Sequence, residues 1–139
     1  MRTISELAEI EAIRQLKAHY FRCLDTQDWP GWRACFAHDL EARFDTEGDP
    51  LIVSGADALV AAIGGSLKGA TSVHHGHTPE IALTGPDSAT GVWAMVDRLQ
   101  IPGQPEMRGY GHYHELYRKL DGQWRIARLH VTRLRTDRG

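Results

Sequence analysis

The amino-acid sequence predicts an α+β fold in which a curved, mainly antiparallel sheet wraps around helices that come first in the chain. Two patterns predict this order. Apolar residues recur at helical spacing near the N-terminus, whereas from Thr71 onward apolar and polar residues alternate between short turn sequences. With 139 residues the chain has the length of one domain, which we expect to span residues 1–139.

The first helix begins at a clear start signal. Thr3 and Glu6 have the spacing of a capping box, in which each side chain accepts a hydrogen bond from the other residue's backbone N–H. The apolar positions that follow keep a helical period: Leu7, Ile10, Ile13, Leu16, Tyr20 and Leu24. We therefore predict one long amphipathic helix that ends near Asp25.

Two shorter helices are predicted after it. Asp28 can cap a second helix that carries Pro30 in its first turn, and a brief strand is expected around residues 41–45. Ser54 marks the start of a third helix over about residues 56–67, where alanine, isoleucine and leucine predominate.

The second half of the chain predicts four longer strands joined by turns that suit antiparallel hairpins. The links are rich in Gly, Pro and Asp, the residues that turns favour. Together with the brief strand they make a sheet of five strands, in which the longer ones lie near residues 72–84, 89–101, 107–119 and 123–135.

The composition is close to that of an average globular protein. Hydrophobic residues make up 42% of the chain, charged residues 24%, and the formal net charge is -2. Without an excess of positive charge, nucleic acid and anionic membranes are poor candidates for partners. No apolar run approaches the ~20 residues that span a bilayer, and no signal peptide is evident, so we expect a soluble, cytoplasmic protein. Cys23 and Cys35 are expected to be buried and reduced.

Two charged residues fall on apolar strand faces. Side chains alternate across a strand, so Asp97 shares its face with Trp93, and Arg133 shares its face with Val131. Burying either charge without a partner would cost several kcal/mol. Each is therefore expected either to have a partner, such as a catalytic histidine or a substrate oxygen, or to reach water at a strand end.

Three histidines, His74, His75 and His77, lie close together between two predicted strands. His75 and His77 share one face of a strand and His74 takes the other, so only part of the cluster can face one pocket. Because the pKa of histidine lies near neutrality, we interpret His74 as a proton-transfer residue. His112 and His114 offer a second same-face pair, which leaves open a zinc or iron site shared with His74 or His77, although no carboxylate ligand follows at a diagnostic interval.

Several segments resemble the SnoaL-like, scytalone-dehydratase-like proteins. The run from Ile10 to Asp25 is similar to their first helix, and its ending Tyr-Phe-Arg-Cys-Leu-Asp is especially similar to the bacterial bile acid 7α-dehydratases. The segment from His74 to Ile81 matches as well, followed by Ala89-Thr90-Gly91 and Trp93. The resemblance covers about residues 7–134 of this chain.

The resemblance implies a fold and a set of site residues. The fold is the cone-shaped α+β barrel of the nuclear transport factor 2-like superfamily, with a pocket between helices and sheet. The family's pocket tyrosine falls on Tyr20 and its helix-end aspartate on Asp25. Its central histidine falls on His74, the aspartate paired with that histidine on Asp97, and the last-strand arginine on Arg133.

Aromatic residues are predicted to complete the substrate pocket. A first-strand tyrosine of the relatives falls on Phe44, which removes a phenolic donor here. Trp93 and Tyr113, together with Trp29, suit the wall of a mostly apolar pocket, and all three are equally compatible with ordinary core packing.

The activity implied by the resemblance is a hydro-lyase that removes water from a hydroxylated keto-steroid or a similar polycyclic ketone, without metal or organic cofactor. In this hypothesis His74 is the base, Asp97 orients it, Tyr20 or Asp25 assists at the substrate oxygens, and Arg133 anchors substrate charge or Asp25. Isomerases, cyclases and dehalogenases need the same base, and a non-catalytic small-molecule-binding module is a further alternative. The resemblance also implies a homo-oligomer, with a trimer favoured over a dimer.

Overall fold

In the computed structural model, which describes residues 1–139, three helices pack against a curved, mixed sheet of six strands. This confirms the predicted α+β class and the order of helices before the long strands. The elements in chain order are α1 (Ile4–Asp25), α2 (Trp29–Arg33), β1 (Phe36–Phe44), β2 (Leu51–Ser54), α3 (Ala56–Ser66), β3 (Thr71–Gly85), β4 (Ser88–Gln100), β5 (Met107–Leu120) and β6 (Gln123–Arg138).

The sheet is a long antiparallel meander that closes back onto the first strand. Its strand order is β2-β1-β6-β5-β4-β3, and every neighbouring pair is antiparallel except β1 and β6, which run parallel. The parallel pairing brings Phe44 of β1 opposite Val131 of β6. As a result, both the first and the last strand of the chain contribute to one inner face.

Helix α1 has the predicted start and the predicted end. The backbone N–H of Glu6 donates to the Thr3 hydroxyl, and the backbone N–H of Thr3 donates to the Glu6 carboxylate, each at 3.1 Å. Asp25 is the last helical residue, and Gln27 then takes a positive φ of 57° that turns the chain away. The helix buries one face, which carries Ile13, Lys17, Tyr20, Cys23 and Leu24.

The sequence prediction missed strand β2 and shortened β1. Leu51–Ser54 carries apolar residues that are mostly exposed, so the alternation that reveals a half-buried strand is absent. The strand forms through its antiparallel pairing with β1, where the Ser54 hydroxyl donates to the Glu41 carboxylate at 2.7 Å. Ser54 therefore does not cap α3; Gly55 takes the capping position at a φ of 93°, which glycine adopts without strain.

The centre of the fold is an aromatic cluster between the helices and the sheet. Tyr20 of α1 lies 5.6 Å from Trp32 and 6.0 Å from Tyr113 between ring centroids, and Trp32 meets Phe36 edge-on at 4.9 Å. Such tilted and edge-on contacts stabilise a core beyond the area that they bury. None of the three helices combines the length and apolar composition of a membrane span.

Gly111 marks an irregularity in the pairing of β5 with β6. The register shifts between Tyr110 and Gly111, and a Cβ at Gly111 would collide with the backbone carbonyl of Thr132. A backbone atom within a strand cannot move aside as the end of a side chain can. The close approach of the two strands therefore requires glycine at this position.

We expect Gly111→Ala to lower the free energy of unfolding by about 1–3 kcal/mol, because the added methyl group forces β5 and β6 apart. Gly65→Ala in α3 is the matched control, since a Cβ there meets nothing within 4 Å. Alanine at that helical position should be neutral or stabilising. Urea unfolding of both variants measures the difference, and equal stabilities would contradict the steric argument.

Candidate active site

Six of the eight residues predicted for the site line a cavity between the helices and the inner face of the sheet. Its volume is about 160 Å³, and ten of its fifteen lining residues are hydrophobic. The three helices and the residue after α3 contribute Tyr20, Leu24, Trp32, Ile63, Ser66 and Leu67. The strands contribute Phe44, His74, Asp97, Arg98, Leu99, Met107, Tyr113, Val131 and Arg133. The polar groups are thus few and lie in an apolar setting.

His74 is held by Asp25. The ring nitrogen Nδ1 of His74 lies 2.7 Å from Oδ1 of Asp25, and the backbone N–H of His74 donates to Oδ2 of the same carboxylate at 2.8 Å. The Ser72 hydroxyl also donates to Oδ1, at 3.0 Å. Because an ionised carboxylate only accepts, this arrangement assigns the proton to Nδ1 and leaves Nε2 as the basic nitrogen. The side chain of His74 hydrogen-bonds only to Asp25, through Nδ1, so that Nε2 is left without a partner in the protein. His74 also lines the cavity.

The expected pairing of His74 with Asp97 is wrong. The two residues do face each other across β3 and β4 in the sheet register, but their side chains have different partners. Asp97 accepts two parallel hydrogen bonds from Arg133, at 2.8 and 2.9 Å. Arg133 consequently anchors Asp97 and not Asp25, and Asp25 takes the orienting position that the sequence hypothesis gave to Asp97.

The Asp97–Arg133 pair spans from β4 to β6 across the intervening strand β5. Gly109 of β5 lies opposite Asp97, and a Cβ there would collide with both charged side chains. Burial alone would lower the pKa of the Arg133 guanidinium, but the hydrogen bonds and charge of Asp97 outweigh burial and raise that pKa above its usual value. Asp97 and Arg133, the two charged residues predicted on apolar strand faces, are therefore each other's partner, and their charges neutralise one another.

Tyr20 and Tyr113 both line the cavity, and each is 2% exposed. Burial raises the pKa of both phenols well above the usual value, and the negative charge of Glu115 adds to the effect for both. The two phenols are therefore protonated at neutral pH. They can act as hydrogen-bond donors and not as bases.

The remaining predicted residues divide between cavity and core. Phe44 lies in the cavity wall, as expected. Trp93 does not: it is buried beside the cavity, and its indole N–H donates to the Tyr117 hydroxyl at 2.9 Å. Trp29 also lies outside the cavity and packs edge-on against Trp32. Asp25 stands behind His74 and is not part of the cavity wall.

The histidines separate as the strand alternation predicts. His74 lies on the inner face of β3 with Ser72, while His75 and His77 are exposed on the other face. His112 and His114 alternate with the buried residues of β5 and so lie on the outer face. The alternative metal site does not assemble, because no three His, Cys, Asp or Glu side chains come together in a way that could hold a metal ion.

Sequence reasoning missed a second polar pair beside the cavity. The Lys17 ammonium donates to the Glu115 carboxylate at 2.7 Å, and neither side chain is exposed to solvent. Glu115 shares its strand face with Tyr113 and Tyr117, so the alternation that revealed Asp97 could also have revealed this carboxylate. Lys17 gives less warning, since a lysine within an amphipathic helix ordinarily faces water.

Comparison with known proteins places the chain in a family. The model of the SnoaL-like domain matches residues 5–130. The chain belongs to the SnoaL-like domain family. A curated relative, "Probable cyclase FGR4" from Gibberella zeae, is 25% identical over 133 residues, which cover 88% of this chain and 89% of the relative.

Solved structures share the SnoaL-like fold over nearly the whole chain. A scytalone dehydratase-like protein from Novosphingobium aromaticivorans has a TM-score of 0.86 at 22% identity, covering 94% of this chain and 87% of the other. Rv3472 of Mycobacterium tuberculosis, a protein of unknown function, has a TM-score of 0.82 at 30% identity, with coverages of 94% and 75%. The hexachlorocyclohexane dehydrochlorinase LinA-type3 from Novosphingobium barchaimii has a TM-score of 0.82 at 16% identity, with coverages of 96% and 91%.

Replacing Asp97 alone with leucine should lower the free energy of unfolding by about 2–3 kcal/mol, because the Arg133 guanidinium then lies partly buried without a carboxylate. The side chain of Arg133 is 24% exposed, so the loss is smaller than for a fully buried pair. The double variant Asp97→Leu/Arg133→Met should recover most of the loss, since neither charge remains. Urea unfolding compares the variants, and a double variant less stable than Asp97→Leu would contradict the pairing argument.

Proposed function

We propose that this SnoaL-like protein is a cofactor-independent lyase that eliminates water from a small, hydrophobic hydroxy-ketone. The observation that carries the proposal is the free Nε2 of His74 at the wall of an apolar cavity, with Nδ1 held by Asp25 at 2.7 Å. A base held in a fixed tautomer by a carboxylate is the arrangement that proton abstraction needs. A mere container for an apolar ligand would need neither group.

The reaction begins with removal of a proton from the carbon next to the substrate carbonyl. Nε2 of His74 takes the proton, and the electron pair of the broken C–H bond moves toward the carbonyl oxygen. The Asp25 carboxylate then faces a positively charged imidazolium, which it stabilises through the bond to Nδ1. Ser72 and the His74 backbone N–H fix the Asp25 carboxylate from two further directions.

Elimination is completed when the electron pair returns from the oxygen and expels the hydroxyl group from the β-carbon. The departing oxygen takes the proton from the His74 imidazolium, so that the products are one water molecule and a conjugated enone. Tyr20 and Tyr113 are the donors available to the developing enolate oxygen, because burial keeps both phenols protonated. In this scheme Asp97 and Arg133 shape and polarise the wall and take no part in proton transfer.

The cavity volume favours a substrate smaller than a steroid. Pockets that enclose drug-sized ligands measure about 300–1,000 Å³, whereas a cavity of about 150 Å³ holds a benzene ring. The cavity here is about 160 Å³. A hydroxylated keto-steroid would leave most of its rings outside, so a substrate whose reacting part is a single ring fits better than the polycyclic ketone that the sequence resemblance implied.

Dehydrohalogenation is the second candidate, because a base of the same kind removes the proton when the leaving group is a halide. Dehydrohalogenation is favoured by the volume of the cavity, which suits a single ring, and by the fold shared with a hexachlorocyclohexane dehydrochlorinase. Isomerisation, cyclisation and non-catalytic ligand binding have no separate observation in their favour. The homo-oligomer implied by the sequence resemblance stays a prediction.

Asp25→Asn should reduce kcat by about 10²–10⁴-fold with little change in ligand affinity, because the amide no longer stabilises the imidazolium or fixes its tautomer. Asp97→Asn should have a much smaller effect, since Asp97 does not contact His74. His74→Ala should remove turnover while leaving the fold intact. Steady-state kinetics measures all three, and an Asp97→Asn variant as impaired as Asp25→Asn would refute the assignment of the orienting carboxylate.

A single-ring β-hydroxy-cyclohexanone should be dehydrated by the wild-type protein, and a β-hydroxy-keto-steroid should be turned over at least tenfold more slowly in kcat/KM. The physical reason is that only the smaller ketone brings its reacting carbon to His74 inside the cavity. Formation of the conjugated enone gives an absorbance signal for both substrates. Faster turnover of the steroid would contradict the size argument, and chloride release from a chlorinated cyclohexane tests the second candidate.

A further inference from the structure

The buried pair of Lys17 and Glu115 lies outside the mechanism described above. Lys17 is in the middle of α1 and Glu115 is on the inner face of β5, and both side chains are completely buried. Taking two opposite charges out of water has a large desolvation cost that their mutual attraction only partly offsets. An apolar pair would join the helix to the sheet equally well, so the position of the charges calls for an explanation.

The Lys17 ammonium lies between the two cavity tyrosines. Its Nζ is 3.6 Å from the ring centroid of Tyr20 and 3.6 Å from that of Tyr113. Both distances are well inside the range of cation–π attraction, which is strongest when the cation is shielded from water. Lys17 does not line the cavity itself, so any influence on a ligand passes through the two rings.

The partners of Glu115 fix the ammonium in this position. One carboxylate oxygen accepts from Lys17, and the other accepts from the Tyr117 hydroxyl at 2.6 Å. Tyr117 in turn accepts from Trp93, and Gly91 leaves the room for its hydroxyl, since a Cβ there would collide with it. Every group in this chain of hydrogen bonds has a partner, which keeps the ammonium against the tyrosine rings.

We propose that Lys17 is a positioning residue that makes Tyr20 and Tyr113 stronger hydrogen-bond donors toward an oxyanion in the cavity. A positive charge against the ring face favours the build-up of negative charge on the phenolic oxygen, which strengthens the O–H donor. Burial and the charge of Glu115 act in the opposite direction, because they raise the pKa of both phenols. The ammonium against the two ring faces opposes this effect. The inference rests on the proposed function, in which Tyr20 and Tyr113 donate hydrogen bonds to the enolate oxygen.

The first test measures ligand binding and needs no turnover. The probes are 4-nitrophenolate, a single ring that carries an oxyanion, and nitrobenzene, a neutral ring of similar size. In Lys17→Met/Glu115→Gln both charges are removed and the amide oxygen can still accept from Tyr117. We expect this variant to bind 4-nitrophenolate about tenfold more weakly than the wild type and nitrobenzene equally well, by titration of the nitrophenolate absorbance and by calorimetry.

A second variant guards against a failure to fold. Lys17→Gln/Glu115→Gln removes both charges and keeps two side chains that can hydrogen-bond to each other, and the same selective loss is expected. Ile13→Val, one turn earlier on the same buried face of α1, is the matched control and should change neither affinity. Undiminished binding of 4-nitrophenolate in either double variant would overturn the proposal, as would equal losses for both probes.

Turnover provides the second test, in which the double variants should lose about 10–100-fold in kcat with little change in KM. Placing 3,5-difluorotyrosine at position 20 of the double variant should restore part of the loss, because its phenol is more acidic. A purely structural role for Lys17 predicts no such rescue. If the wild type dehydrates no ketone but the nitrophenolate result holds, the proposed reaction is wrong and the role of Lys17 stands. If the double variants dehydrate the ketone with the kcat of the wild type, the role of Lys17 is wrong and the proposed reaction stands.

Discussion

The hydrogen bond between Asp25 and His74 joins the last residue of α1 to the inner face of β3, and the proposed mechanism depends on it. The end of the helix is what makes the contact. After Asp25 the chain turns away through Gln27 at positive φ, so the carboxylate stands free of the helix and receives donors from β3. The residue that ends the helix is therefore also the residue that sets the tautomer of His74.

Several charged groups in the interior are paired with a group of opposite charge. Charged groups in an apolar setting are costly unless each has a partner, and here the partner always comes from a distant element of the fold. Asp25 in α1 meets His74 in β3, and Asp97 in β4 meets Arg133 in β6 across Gly109. The first contact ties the end of α1 to the sheet and the second joins two strands within the sheet, so a shift of any of these elements would leave a charge unpaired.

Much of the fold could be predicted from local signals, while the pairing of polar groups could not. The capping box at Thr3, the end of α1 and the strand alternation around Asp97 are short-range features that a sequence displays. Which carboxylate reaches His74 depends on where a helix end lies over a curved sheet, and no spacing along the chain reports that distance. Strand β2 was missed for a related reason, since it exists through its pairing with β1 and not through its own pattern.

The base alone does not select the reaction of a SnoaL-like protein. The proton removal proposed for His74 would serve dehydration, dehydrohalogenation and isomerisation alike, so the outcome would depend on the groups that meet the substrate oxygen and the leaving group. In the proposed mechanism those groups are Tyr20 and Tyr113, phenols kept protonated by burial, and such donors favour a substrate whose negative charge develops on a carbonyl oxygen. A halogenated ring has no such oxygen and would leave both donors without a use. The electrostatics of Tyr20 and Tyr113 thus argue for a ketone, and the cavity volume argues for a small one.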